Sequence, residues 1–247
     1  MPISSGDLVF YGSANMPTGD ATTAGGAIDT STRVIFDDTT LANAVGPSVL
    51  SVVSTIAGDN SGILIYGRDA GGALINSTIT LSGLTPVTGV VSYDRIHMVS
   101  GQHNGTLSLK KDASVIVAME SGVNVIRRPF FNAIADASGG SSRTYYEKIF
   151  LKNNHATLTL TSAFISGSSS GLASFVDISA ESGTGGTTTI TNRLTSPTGI
   201  SPFGDGSVSI ANVVAGGTQP VWLLLTLAAG TAPQLGLYTI AALGNTT

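Results

Sequence analysis

Arg68 and Asp69 stand side by side in ILIYGRDAGGALINSTITLSG, residues 63 to 83, just ahead of Gly71 and Gly72. A guanidinium beside a carboxylate can polarise a bound group, but covalent catalysis also needs a nucleophile held by a base, and no His or Ser is placed for that here. The same residues fit the corner of a β-hairpin, where glycine supplies the positive φ of a tight turn. The three histidines are His97, His103 and His155; a metal would need them to converge, and no third ligand follows His97 and His103 at a telling spacing. Glu120, Glu147 and Glu181 are the only glutamates, so the paired carboxylates of a glycosidase have little to draw on. Asp59 in AGDNSG and Asp205 in FGDGS read as turn aspartates that bond their own backbone, a setting that also suits calcium. HExxH, GxxxxGK[ST] and strand-linked GxGxxG motifs are absent. Three Asn-x-Ser/Thr acceptors begin at Asn76, Asn104 and Asn245, but a Ser/Thr-rich chain generates these by chance. The expectation is a non-enzymatic protein without cofactor or metal.

Composition narrows the partner. Of 247 residues, 42% are hydrophobic and only 11% charged, against roughly 25% in an average globular domain. A mean hydropathy of +0.32 with a net charge of -4 favours burial over disorder. With 11 Lys and Arg there is no basic stripe to neutralise a phosphate backbone, so nucleic-acid binding is not expected. With no cysteine, disulfides and thiolate metal sites are excluded. The longest apolar run, VWLLLTLAA at 221 to 229, is far shorter than the roughly 20 residues of a spanning helix, and MPISSGDLVFYG lacks the pattern of an export signal. These features predict a soluble protein with no membrane association, whose partner is another protein.

The elements that must position any site are strands. Ile75, Ile79 and Leu81 alternate with Asn76, Thr78 and Thr80, while ILIY is apolar on both faces and belongs deeper in a sheet. TLTLT at 157 to 161 and SVSI at 207 to 210 alternate in the same way, and AGDNSG, DAGGA, SGSSSG and ESGTGG punctuate the apolar runs at sandwich spacing. The predicted fold is all-β: two β-sandwich-type modules, residues 33–135 and 143–247, joined by the linker DASGGSS at 136–142. Residues 1–32, rich in Gly, Thr, Ala and Ser, are expected as an extended N-terminal arm or segment, with a mobile terminus as the alternative.

Several stretches carry a family resemblance: SSGDLVFYGSANMPTGDATTAGGAIDTSTRV, YGRDAGGALINSTITLSGLTPVTGVVSYDRIHMV, YYEKIFLKNNHATLTLTSAFIS, TNRLTSPTGISPF and VWLLLTLAAGTAP. Together they resemble virion structural proteins of tailed bacteriophages, most of all head decoration (cement) proteins. The resemblance implies a chain made in the host bacterial cytoplasm and built in many copies onto the capsid exterior. There it would bind the major capsid protein lattice and self-associate, for instance as a trimer. Rigid β modules with little charge suit a protein that ties capsomers together, and multivalent attachment lets weak contacts suffice.

Partner contacts are expected from Phe10, Tyr11 and Met16 in the arm and from Arg127, Arg128, Phe130 and Phe131, since aromatics beside arginine are typical interface anchors. The alternative for the second group is that Phe130 and Phe131 belong to a core flanked by the arginines. Two other roles stay open: a tail, baseplate or connector component, and a virion protein that binds carbohydrate on the host surface. The last is weakened by a single tryptophan, Trp222, inside an apolar run that reads as buried.

Overall fold

The computed structural model describes residues 2–36, 46–136, 138–170, 176–182, 186–200, 203–204, 206–230 and 237–247. Asp205 lies outside them. The chain is all-β, and its one described helical turn is a 3-10 turn at Ser5–Asp7. It forms two compact units, Met1–Thr30 with Ala133–Thr247, and Ser31–Asn132.

The discontinuous unit opens with β1 (Leu8–Asn15) and β2 (Ala24–Val34), and the chain passes along β2 into the second unit. That unit holds β3 (Ser48–Ser54), β4 (Gly62–Arg68), β5 (Leu74–Thr80), β6 (Val87–Tyr93), β7 (Arg95–Ser100), β8 (Leu107–Lys111), β9 (Ser114–Met119) and β10 (Val125–Arg127). The chain then returns through β11 (Arg143–Asn153), β12 (Leu160–Ser170), β13 (Val176–Ala180), β14 (Thr189–Ile190), β15 (Ser207–Ser209), β16 (Thr218–Leu227) and β17 (Leu237–Thr246).

The continuous unit is a sandwich. One layer runs β10-β7-β4-β5, begun by the last residues of β2; the other runs β6-β3-β8-β9. Period-2 alternation sends Leu50 and Val52, Ile63 and Ile65, Leu107 and Leu109 to one core with Ile79, Tyr93, Ile96 and Val99. The hairpin reading of residues 63 to 83 holds: Ile79 and Leu81 are buried while Asn76, Thr78 and Thr80 are exposed.

In the discontinuous unit, one sheet orders β13-β16-β11-β1-β2, with β14 on β2, and another orders β15-β12-β17. Here the structure corrects the expected arm. Residues 8–15 pair antiparallel with β11 from Leu8↔Asn153 to Gly12↔Ile149, and residues 24–30 continue the sheet as β2. Glycine at the start of β2 reflects close packing. Gly25 has φ +98°, and a Cβ there would lie 2.7 Å from the Thr188 carbonyl oxygen and 3.2 Å from the Trp222 ring. The composition break at 136–142 is a connection between β10 and β11 and lies within the discontinuous unit, anchored by Ser138 N–H to Asp136 Oδ1 (2.9 Å) and Gly230 N–H to Asp136 O (2.8 Å).

Candidate interaction site

Arg68 and Asp69 build a turn. Asp69 N–H donates to Ala73 O (3.1 Å), Asp69 Oδ1 accepts from Ala73 N–H (2.9 Å), and Arg68 Nη1 donates to Gly72 O (2.6 Å). Gly72 sits at φ +82°, the left-handed geometry that the glycine pair supplies.

The sequence candidates do not converge. His97 Nδ1 bonds Phe131 O (2.9 Å), and burial pushes the ring down to about 4. His103 places Nδ1 on Gly105 O (2.7 Å) and Nε2 on Val123 O (2.8 Å). His155 Nδ1 accepts from Thr157 and Leu158 N–H. Among the described residues, no three His, Asp or Glu groups gather as metal ligands. Exposed Glu120 meets Arg33 at 3.3 Å, while Glu147 and Glu181 are buried against Arg193 and Lys148. Sequence reasoning did not foresee these buried charges, of which Glu147 and Lys148 lie on β11. The one signal was Glu147-Lys148 set in the middle of an aromatic and aliphatic strand. Ser169, in the GSSSG run at 167–171, lies opposite Tyr238 inside the β12–β17 ladder rather than at a strand-to-helix turn of the kind a nucleophile elbow requires.

The residues expected at a partner surface divide. Tyr11, Arg127 and Phe131 are buried; Phe10, Met16, Arg128 and Phe130 are partly exposed. Phe131 packs edge-on to Tyr66 with ring centroids 5.8 Å apart, and the Arg127 guanidinium lies 6.0 Å from the Phe131 ring. Phe130 adopts φ +53°, which turns the chain so that Phe131 faces inward. Trp222, fully buried, offers no face to a sugar.

A better surface lies at one end of the continuous sandwich, where the β3–β4, β5–β6 and β7–β8 turns meet around Asp59. Its carboxylate accepts Ser54 Oγ (2.5 Å), Asn104 N–H (3.0 Å), Asn104 Nδ2 (2.8 Å) and Gly105 N–H (3.2 Å). Its carbonyl accepts Gly83 N–H (2.8 Å), whose own carbonyl accepts Ser54 N–H (3.0 Å). Thr55 N–H to Thr106 O and Thr106 N–H to Thr55 Oγ1 complete the weave. Asp59 thus ties three turns rather than bonding only its own. The hydrogen bond from Ser54 is foremost in lowering its carboxyl to about 2; burial acts the other way, and the smaller contributions of Asn104 and Gly105 add to the lowering. Donors surround the carboxylate, whereas a calcium ion would need further oxygen acceptors. From this scaffold Ile56 and Leu84 project with 44% and 61% exposure.

Fold and site together define an all-β, sandwich-type protein with a rigid loop apex tipped by aliphatic side chains. The chain matches no protein-family model and no curated protein sequence.

Proposed function

We propose that the chain is a non-enzymatic structural protein of a tailed-bacteriophage virion, a head decoration protein bound to the major capsid protein through the apex around Asp59. The observation that carries the binding role is the pairing of exposed Ile56 and Leu84 with turns already locked by a buried carboxylate. A partner gains apolar contact there while ordering little further backbone. The assignment to a phage head rests on the sequence resemblance, and the scarcity of charge agrees with it.

The test is the copy number of the chain relative to the major capsid protein in purified virions, by quantitative mass spectrometry. A ratio near one, or a simple fraction such as one third, supports a decoration lattice. A far smaller ratio moves the chain to the tail or connector, and absence from virions rejects the reading. Ile56→Asp with Leu84→Asp is expected to weaken attachment to undecorated capsids at least tenfold without lowering the melting temperature; undiminished attachment excludes the apex.

A further inference from the structure

The edge of β5 differs from the other sheet edges of its unit. In the opposing layer both edge strands pair irregularly, β6 across the shift between Val49 and Ser51 and β9 across the shift between Leu109 and Lys110. Such irregularities blunt an edge against pairing with another chain. β5 pairs with β4 without a break from Gly62↔Thr80 to Arg68↔Leu74, and its sequence, LINSTIT, contains no charge and no proline.

The hydrogen-bond phase follows from the hairpin ends. Asp69 N–H donates to Ala73 O, and Leu81 N–H donates to Ser61 O (2.9 Å), so the odd-numbered residues of β5 turn their backbone toward β4. Leu74, Asn76, Thr78 and Thr80 therefore turn theirs outward, and among the described residues no backbone group meets them there.

LINSTIT is close to self-complementary when laid antiparallel on itself about Ser77. Leu74 of one copy then faces Thr80 of the other, Asn76 faces Thr78, Ile75 faces Ile79, and Ser77 faces Ser77. This register matches every outward backbone group of one strand with an outward group of the other. It continues the isoleucine face on one side, and on the exposed side it sets the Asn76 amide against the Thr78 hydroxyl.

We propose that β5 is a self-association edge, occupied by β5 of a second copy in an antiparallel pair with two-fold symmetry. The contact deepens the structural reading above by naming one way copies of the chain meet. A trimer would require a second, different contact.

The register gives a direct test, because the chain has no cysteine. Ser77 and its symmetry mate form a non-hydrogen-bonded pair, with Cα atoms about 4.5 Å apart, within disulfide reach. Under mild oxidation Ser77→Cys is expected to cross-link to a covalent dimer. Thr80→Cys alone is not, while a mixture of Thr80→Cys with Leu74→Cys is. Wild-type protein should show a concentration-dependent dimer in sedimentation velocity. Thr78→Pro, which removes an outward N–H that the isolated fold does not use, should weaken that dimer at least tenfold while keeping the β circular-dichroism spectrum. A wild-type monomer at all concentrations, or equal cross-linking of the Ser77 and Thr80 variants, overturns the proposal. Capsid attachment reads out separately: a monomer that still decorates capsids rejects the β5 contact alone, and a dimer absent from virions rejects the virion role alone.

Discussion

Lys148 Nζ lies 2.7 Å from Glu181 Oε2, with side-chain exposures of 0% and 7%. Lys148 also donates to Gly186 O (3.0 Å) and Thr188 O (3.2 Å), so its three N–H groups have three acceptors. Burial acts to raise the Glu181 carboxyl, but donation by Lys148, Thr188 Oγ1 (2.7 Å) and Trp222 Nε1 (3.0 Å) outweighs it and holds the group ionised. Lys148 and Trp222 stand directly opposite in the β11–β16 ladder, which brings the ammonium to 5.6 Å from the indole ring.

Breaking this pair from one side should cost more than removing both partners, since a lone buried charge remains. Lys148→Met is expected to destabilise by roughly 3–5 kcal/mol, and Lys148→Met with Glu181→Leu by less than the sum of the single changes. Urea denaturation of the four proteins of the cycle measures the coupling; simple additivity contradicts it.

Asp59 offers a sharper test of the apex. Asp59→Ala leaves the Asn104 and Gly105 amides and the Ser54 hydroxyl without their acceptor, a loss of roughly 2–4 kcal/mol. Amide exchange should accelerate at Asn104, Gly105 and Gly83 before it does in β4 and β7. Uniform acceleration across the unit would mean that the carboxylate does not organise the turns.

Acid should act in two windows. His97 has a folded pKa of about 4, lowered first by burial and then by Arg68, Arg128 and Arg95, against about 6.5 in an unfolded chain. Between those values the unfolded chain binds a proton that the folded chain refuses, so stability falls as pH drops from about 6.5 to about 4. Asp59, lowered to about 2, contributes fully above its unfolded value of about 3.9 and loses that contribution as pH falls toward 2. Urea midpoints followed against pH should decline in both windows, and His97→Gln should flatten only the first.

Gly25 is expected to reject any side chain. Gly25→Ala combines a positive φ with a Cβ pressed on the Thr188 carbonyl, a cost of roughly 2 kcal/mol or more. Thermal melting checks it, with Gly216→Ala as a comparison for the φ effect alone, because a Cβ at Gly216 meets nothing within 4 Å.

The all-β class, the β4–β5 hairpin and the burial of Trp222 were legible in the residues themselves. A two-residue apolar period and glycines at turns depend on neighbours in the chain, and local sterics decide them. Residues 1–32 were not legible as strands, because what stabilises β1 is the backbone of β11, more than 130 positions away, which a Gly- and Thr-rich segment can join without an alternating pattern. Nor could spacing show that Glu147, Lys148 and Glu181 are buried. Charges enter a core only when folding delivers partners from distant strands, and the Lys148–Glu181 pair exists because β13 and β11 flank the same strand, β16. Asp59 shows the division within one residue. Its place in AGDNSG determined a turn, whereas its grip on Ser54, Asn104 and Gly105 was decided only when the sandwich brought three turns to one end.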